Sequence, residues 1–308
     1  MLGSASAKPA APTTDPEAPT TDPEAPTTDP EAPGGRVAPA RSVGFALRLT
    51  PMAAFGAARA RRIVERNMVV YRRGWIFLVS GFFEPFFYLA SIGIGLDKLV
   101  GPIRADGQLL AYTVFVAPGL LASSAMNGAI FDSTFNVFFK LKIAKTYDAV
   151  LSTPLGPADV ALGELSWSLL RGGLYSGAFL CVMAGFGYTA TPWVILAYPG
   201  ALLISFAFAA AGMAGTTYMR SWQDFDMVSL AIIPLFLFSA TFYPLSVYPG
   251  WLQAVVSCSP LYQGVALLRD CDLGAFNWAL LGHVIYLVVM GVFGLEVTTH
   301  RLGKLLLP

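Results

Sequence analysis

Charge is scarce in this chain of 308 residues. Asp, Glu, Lys and Arg together make up 13% of it, about half the share found in an ordinary soluble domain. Hydrophobic residues make up 55% and the mean hydropathy is +0.60, so much of the surface must face something other than water. Cysteine and histidine are also scarce. Cys181, Cys258, Cys271, His283 and His300 form no CxxC and no Cys/His cluster, which excludes a zinc or iron–sulfur centre of the usual spacing. There is no GxxxxGK[ST] phosphate loop: Gly303–Lys304 lacks the upstream glycine and the following hydroxyl residue. HExxH and GxSxG are absent too. Neither a phosphate-loop nucleotide site nor a recognisable catalytic set is encoded.

What is present begins with a low-complexity stretch, residues 1–40. The heptapeptide TTDPEAP runs three times from Thr13 to Pro33. Two prolines per repeat and no apolar seam rule out a coiled coil. A composition that cannot bury a core predicts a disordered tail, partly polyproline II. The basic-then-apolar start of a cleavable signal is missing, so the first spanning segment is expected to serve as an uncleaved anchor. Residues 57–73, AARARRIVERNMVVYRR, are different. At about 100° per residue, Arg59, Arg61, Arg62, Glu65, Arg66, Arg72 and Arg73 share one half of a helix. Ala60, Ile63, Val64, Met68, Val70 and Tyr71 share the other, with Asn67 and Val69 as exceptions. This predicts an amphipathic helix lying in a membrane interface, with Arg59, Arg62, Arg66 and Arg73 toward anionic headgroups.

Six apolar stretches follow, at 75–95, 109–131, 165–187, 193–216, 227–245 and 277–297. Each is near the roughly 20 residues that cross a hydrocarbon core. Backbone polar groups in lipid must be satisfied within the segment, so helices are expected. The predicted fold class is an all-α membrane protein: one domain, 41–308, with six transmembrane helices behind an N-terminal interfacial helix. Residues 243–269, moderately apolar and bounded by prolines, read as two short helices forming an external re-entrant hairpin before the last span. Lysine and arginine placement sets the orientation. The segment before residue 75, the connection with Lys140, Lys142 and Lys145, Arg220, and the end with Arg301 and Lys304 fall on one side. The other side has Lys98, Arg104 and Arg269. Both termini are therefore expected to be cytoplasmic.

The connection 132–164 is long and of mixed charge. Lys140 to Leu151 is predicted as a short surface helix stopped by Pro154 and Pro157, a rigid handle joined to two spans. Glu84, followed by Pro85, sits mid-span, where a carboxylate must face the bundle interior or a wet cavity. A place on a translocation path and a structural hydrogen bond beside a proline kink both remain open. Arg171 is placed either as a topological anchor or as a partner of Glu164, and His283 as a packing residue. Cys258 and Cys271 fall on the same external side, which leaves a disulfide open. Tyr243, Tyr248 and Trp251 suit a membrane interface.

Two stretches carry a family resemblance. YDAVLSTPLGPADVALGELSWSLLRG, from Tyr147 to Gly172, resembles the cytoplasmic loop of ABC-2 type permeases, nearest to those of nodulation lipo-oligosaccharide and daunorubicin-resistance exporters. Leu235 to Asp270 is similar to that family's FxPxxxxPxWLQ pattern, carried here by Phe242, Pro244, Pro249, Trp251, Leu252 and Gln253, then Pro260 and Arg269. The resemblance implies an exporter of an amphipathic substrate: a drug, glycolipid, lipo-oligosaccharide or polysaccharide precursor. It implies a coupling segment with Lys140, Lys142, Lys145, Tyr147, Asp148, Leu151 and Pro154 that docks on a separate ATPase subunit. Two permease chains, identical or not, work with two such subunits, and ATP and Mg belong to them. No cofactor and no nucleic acid are expected on this chain. Glu84, Phe242, Tyr243 and Pro244 are placed near the substrate path, in a bacterial cytoplasmic membrane. The rival from another class is an ATPase-independent secondary transporter or channel, which needs ionisable groups in the spans and has Glu84 and His283 to offer. The TTDPEAP tail has no counterpart in the family pattern.

Overall fold

The computed structural model of the chain describes residues 60–71, 83, 86–105, 108–153 and 155–306. The repeat tail, Arg59, Arg72, Arg73, Glu84 and Pro154 lie outside them. The helices all belong to one unit, Thr50–Pro308.

The architecture is predominantly helical. Helix α1 is Ala60–Tyr71. A helix over 86–91 runs through a π-turn, Ile92–Leu96, into α2, Asp97–Val100. Helix α3, Tyr112–Phe131, continues through two π-turns, Asp132–Asn136 and Phe139–Ile143. Then come α4, Thr146–Leu151, and α5, Pro157–Gly185. A 3-10 turn, Pro192–Leu196, leads into α6, Ala197–Thr216. The remaining helices are α7, Asp224–Leu237; α8, Gly250–Ser257; α9, Pro260–Leu273; and α10, Trp278–Leu306. Among the described residues, three stretches, Tyr112–Ile143, Pro192–Thr216 and Trp278–Leu306, are long and apolar enough to cross a membrane.

Four local departures from expectation have plain causes. Strands β1, Ile103–Ala105, and β2, Gln108–Leu110, pair antiparallel where only a loop was expected. Asp106–Gly107 between them is a strong hairpin dipeptide. The expected connection 132–164 shrinks to 144–156, because α3 extends to Ile143 and α5 already starts at Pro157. Pro157 starts a helix rather than stopping one: its missing N–H costs nothing at the first position, and the Asp159 carboxylate caps the Gly156 N–H at 2.9 Å. The expected span 227–245 is helical only to Leu237, with Pro234 inside its last turn. The chain beyond is irregular, Ala240 sits at φ 54°, and the Ser239 hydroxyl bonds Phe236 O (2.8 Å) and Thr241 Oγ1 (2.7 Å). Cys258 and Cys271, whose pairing the sequence leaves open, are both free, Cys258 exposed and Cys271 buried.

Helix α6 is the axis of the unit. It packs on α3, α5, α9 and α10, and Ala201, Ile204, Ala207, Ala209, Ala210 and Met213 are fully buried along it. Small side chains let the helices close to backbone contact. At Gly294 of α10 an added Cβ would stand 2.8 Å from the backbone of Ala210 and Ala211, and Thr298, one turn on, is also buried against α6. Outward faces remain apolar. Trp278, Val289 and Phe293 of α10 are strongly exposed, as are Met227, Leu230 and Ile233 of α7, the surface a lipid-facing bundle presents.

Gly294→Ala is expected to lower stability by about 1–3 kcal/mol, since the clash is with main chain that cannot swing away. Gly185→Ala, where nothing lies within 4 Å of the new methyl, serves as the control. Denaturant titration of the detergent-solubilised protein measures both.

Candidate functional site

Alternation of charge with apolar residues near the end of α3 has a structural meaning. Asp132 and Lys140 stand eight residues apart, about 80° out of line on an ideal α-helix. The two π-turns between Asp132 and Ile143 take up that offset, and both side chains reach α5. Asp132 accepts from Ser168 (Oγ to Oδ2, 2.6 Å) and pairs with Arg171 (Nη2 to Oδ1, 3.1 Å). Further along, Lys140 Nζ donates to Glu164 Oε2 at 2.6 Å and to Asn67 Oδ1 at 3.1 Å. Asn67 Nδ2 donates to the same Glu164 oxygen at 3.1 Å. All three side chains of this second layer are buried.

Helix α1 reaches the triad because Gly163 precedes Glu164. A Cβ on Gly163 would stand 2.7 Å from Ile63 Cβ, so only glycine admits the two helices at this distance. Ile63, Val64 and Asn67 form the buried face of α1, while Arg61 and Arg62 are exposed and Arg66 is half-buried. Val70, expected on the buried half, is exposed, because the contact with α5 covers only the first part of the helix.

The chain then breaks at Lys145, whose left-handed backbone (φ 44°, ψ 34°) is uncommon for a residue with a Cβ. The break turns α4 back toward α1 and α5. Tyr147 is buried there, and burial first, then the neighbouring Glu164 carboxylate, pushes its phenol well above the usual value. It stays a neutral hydroxyl. Lys142, Lys145 and Asp148 point outward, and Leu151 is half-buried.

The expected surface helix from Lys140 to Leu151 is therefore not one element. Lys140 ends a membrane-length helix and faces inward, because a charged amine beside Glu164 and Asn67 is satisfied there. Arg171 takes Asp132 as its partner rather than Glu164, which Lys140 already occupies. The sequence offered one signal for the triad: Asn67, the polar exception on the apolar half of α1.

Phe242, Tyr243 and Pro244 lie beyond the other end of α7, away from this network. Phe242 packs edge-on against Phe236 (5.3 Å between centroids) and the exposed Tyr243 rests on Tyr248 (5.0 Å). Arg269, expected as an external loop charge, is buried. Its Nη2 donates to Ala240 O at 3.0 Å and to Phe115 O at 3.4 Å, with the guanidinium 4.0 Å over the Phe115 ring. His283 Nδ1 is hydrogen-bonded to Gln263 Oε1. Three residues beyond Arg269, the buried Asp272 carboxylate accepts from the Ala190 N–H at 3.1 Å and ties α9 to the α5–α6 connection. Burial raises its pKa to about 6.

Two outcomes follow. Lys140→Met strands a buried carboxylate and is expected to cost about 3–5 kcal/mol, much of which returns in Lys140→Met/Glu164→Leu; melting of the four proteins of that cycle checks this. Asp272 binds its proton more tightly folded than unfolded, so stability falls as pH rises from about 4 to 6, where only the unfolded chain has released it. Purified protein should therefore melt higher at pH 5 than at pH 7, and Asp272→Asn, a permanent mimic of the protonated acid, should flatten that difference.

Comparison with known proteins gives the family of the chain. Nodulation protein J of Rhizobium meliloti (strain 1021) is 29% identical over 248 residues, 79% of this chain and 92% of that protein. Nodulation protein J of Rhizobium leguminosarum bv. trifolii is 31% identical over 212 residues, 68% of this chain and 79% of that protein. The probable doxorubicin resistance ABC transporter permease protein DrrC of Mycobacterium tuberculosis (strain CDC 1551 / Oshkosh) is 23% identical over 230 residues, 70% and 78% of the two chains. The ABC-2 type transporter family matches residues 59–273, a stretch that takes in α1 through α9, and the chain belongs to that family.

Proposed function

We propose that the chain is the membrane permease of an ATP-driven exporter for an amphipathic substrate, powered by a separate ATPase subunit. The observation that carries this reading is the buried triad. Lys140, Glu164 and Asn67 tie the root of the 144–156 connection to α1, α3 and α5 at once. A push on the outward-facing Lys142, Lys145 and Asp148 then reaches the spanning helices without being lost in a slack loop.

Six spans with both termini cytoplasmic agree with this. Lys140 and Arg269 are buried and drop out of the loop-charge count, and the arginine-rich start, Lys142 and Lys145 still outweigh Lys98 and Arg104. The pair α8 and α9 then forms the external hairpin, with Phe242, Tyr243 and Pro244 at its foot. A second permease chain is expected on the exposed apolar face of α7. Doxorubicin in the name of one relative supports a drug or lipid-like cargo.

Lys142→Glu/Lys145→Glu should leave insertion and melting unchanged while lowering the co-purified ATPase by about tenfold, and export with it. Unchanged export in that double variant removes the coupling role from this segment.

A further inference from the structure

An open pocket lies between α1 and the 144–156 connection. Arg62, Ile63 and Arg66 line it from α1, and Thr146, Ala149 and Val150 line it from α4, among other residues. Arg62 and Arg66 stand one helical turn apart, about 6 Å between Cβ atoms, so two guanidinium groups serve one small space. Arg62 is exposed and Arg66 half-buried. Arg66 Nη1 is buried and has no hydrogen-bond partner among the described residues. A guanidinium N–H out of water without an acceptor is costly, and an acceptor seated in the pocket removes that cost.

The neighbouring acids do not supply one. Among the described residues no Asp or Glu lines the pocket. Glu65 pairs with Arg61 at 2.9 Å, and Glu164 with Lys140 at 2.6 Å. Asp148 is exposed. At about 100° per residue it lies nearly opposite Thr146, Ala149 and Val150 around α4. The pocket therefore presents two positive charges and the Thr146 hydroxyl with no counter-charge lining it. It also faces away from the Asp148 side of α4, the side on which the ATPase subunit is proposed to act.

We propose that Arg62, Arg66 and Thr146 bind one phosphate group, which braces α1 against α4. A carboxylate has two oxygens and suits a single guanidinium fork. A phosphate has enough oxygens, set at tetrahedral angles, to take both forks and the hydroxyl together. The group belongs either to a free phosphate ion or to an anionic lipid headgroup, and the test separates the two. The site is distinct from the buried triad and stands whatever the exported cargo is.

The test is amide hydrogen exchange of residues 146–153 in the full chain. The chain is held in phosphatidylcholine nanodiscs with inorganic phosphate or with sodium chloride of equal ionic strength, and in phosphatidylglycerol nanodiscs without phosphate. Exchange is expected to slow about tenfold with phosphate at about ten times its dissociation constant, and not with chloride. If phosphatidylglycerol alone slows exchange and added phosphate brings nothing more, the lipid is the source. If phosphatidylglycerol matches phosphatidylcholine while inorganic phosphate slows exchange, the free ion is the source. Arg66→Gln should abolish the slowing and Arg66→Lys should retain part of it. Arg61→Gln, outside the pocket, should leave it whole. Ala149→Leu fills the pocket from an exposed position and should abolish the slowing with both arginines intact. Exchange indifferent to phosphate and to phosphatidylglycerol overturns the proposal, as does equal slowing in Arg66→Gln. Slowing by the ATPase subunit alone, lost in Arg66→Gln, would give the arginine pair to a carboxylate of that subunit and overturn the proposal as well.

Discussion

A lysine, a carboxylate and a carboxamide meet out of water where α1, the extension of α3 and α5 converge, and each depends on the other two. An ammonium and a carboxylate removed from water are tolerated only when paired at short range with their remaining capacity used. Lys140 spends two of its donors on Glu164 and Asn67, and Asn67 returns one to Glu164. That requirement fixes three elements to one another. The π-turns that rotate Lys140 inward, the glycine that admits α1, and the sharp turn at Lys145 that swings α4 back are local accommodations to it.

Away from this layer the unit is held by contact rather than by charge. Lipid offers helices no hydrophobic reason to associate, so α6 draws its neighbours through small residues that allow backbone approach. Gly294 against Ala210 and Ala211 is the clearest instance. Where a helix lacks such a seam it stands apart. Helix α7 keeps Met227, Leu230 and Ile233 outward, and leaves a groove between itself and α6. A tightly keyed region and a loosely packed helix thus occur in one bundle, as a transporter that must move some helices against others requires.

The far end repeats the logic with different groups. Arg269 closes onto main-chain carbonyls and an aromatic face, and Asp272 onto a main-chain N–H. Charged residues that would count as loop markers of topology are here structural ties, which is why a tally of lysine and arginine along the chain overstates the charge that faces solvent.

Much was legible in the sequence because it follows from composition and period. Long apolar runs need helices in lipid, so the positions of α3, α5, α6 and α10 could be read from hydropathy alone. The amphipathic split of α1 is a local fact, and the likeness of Tyr147–Gly172 and Leu235–Asp270 to the ABC-2 pattern is a linear one. Partnership is not linear. Asn67 and Glu164 are 97 residues apart, and Arg269 and Phe115 are 154 apart. Nothing in the local pattern says that Lys140 turns inward while Lys142 turns out, since that is decided by two π-turns and by the carboxylate waiting on another helix. The sequence by itself determined where the long apolar helices lie and which family they build. The tertiary structure alone decided which charges are buried and whom they bind, because the cost of burying a charge is met only by a partner the fold brings to it.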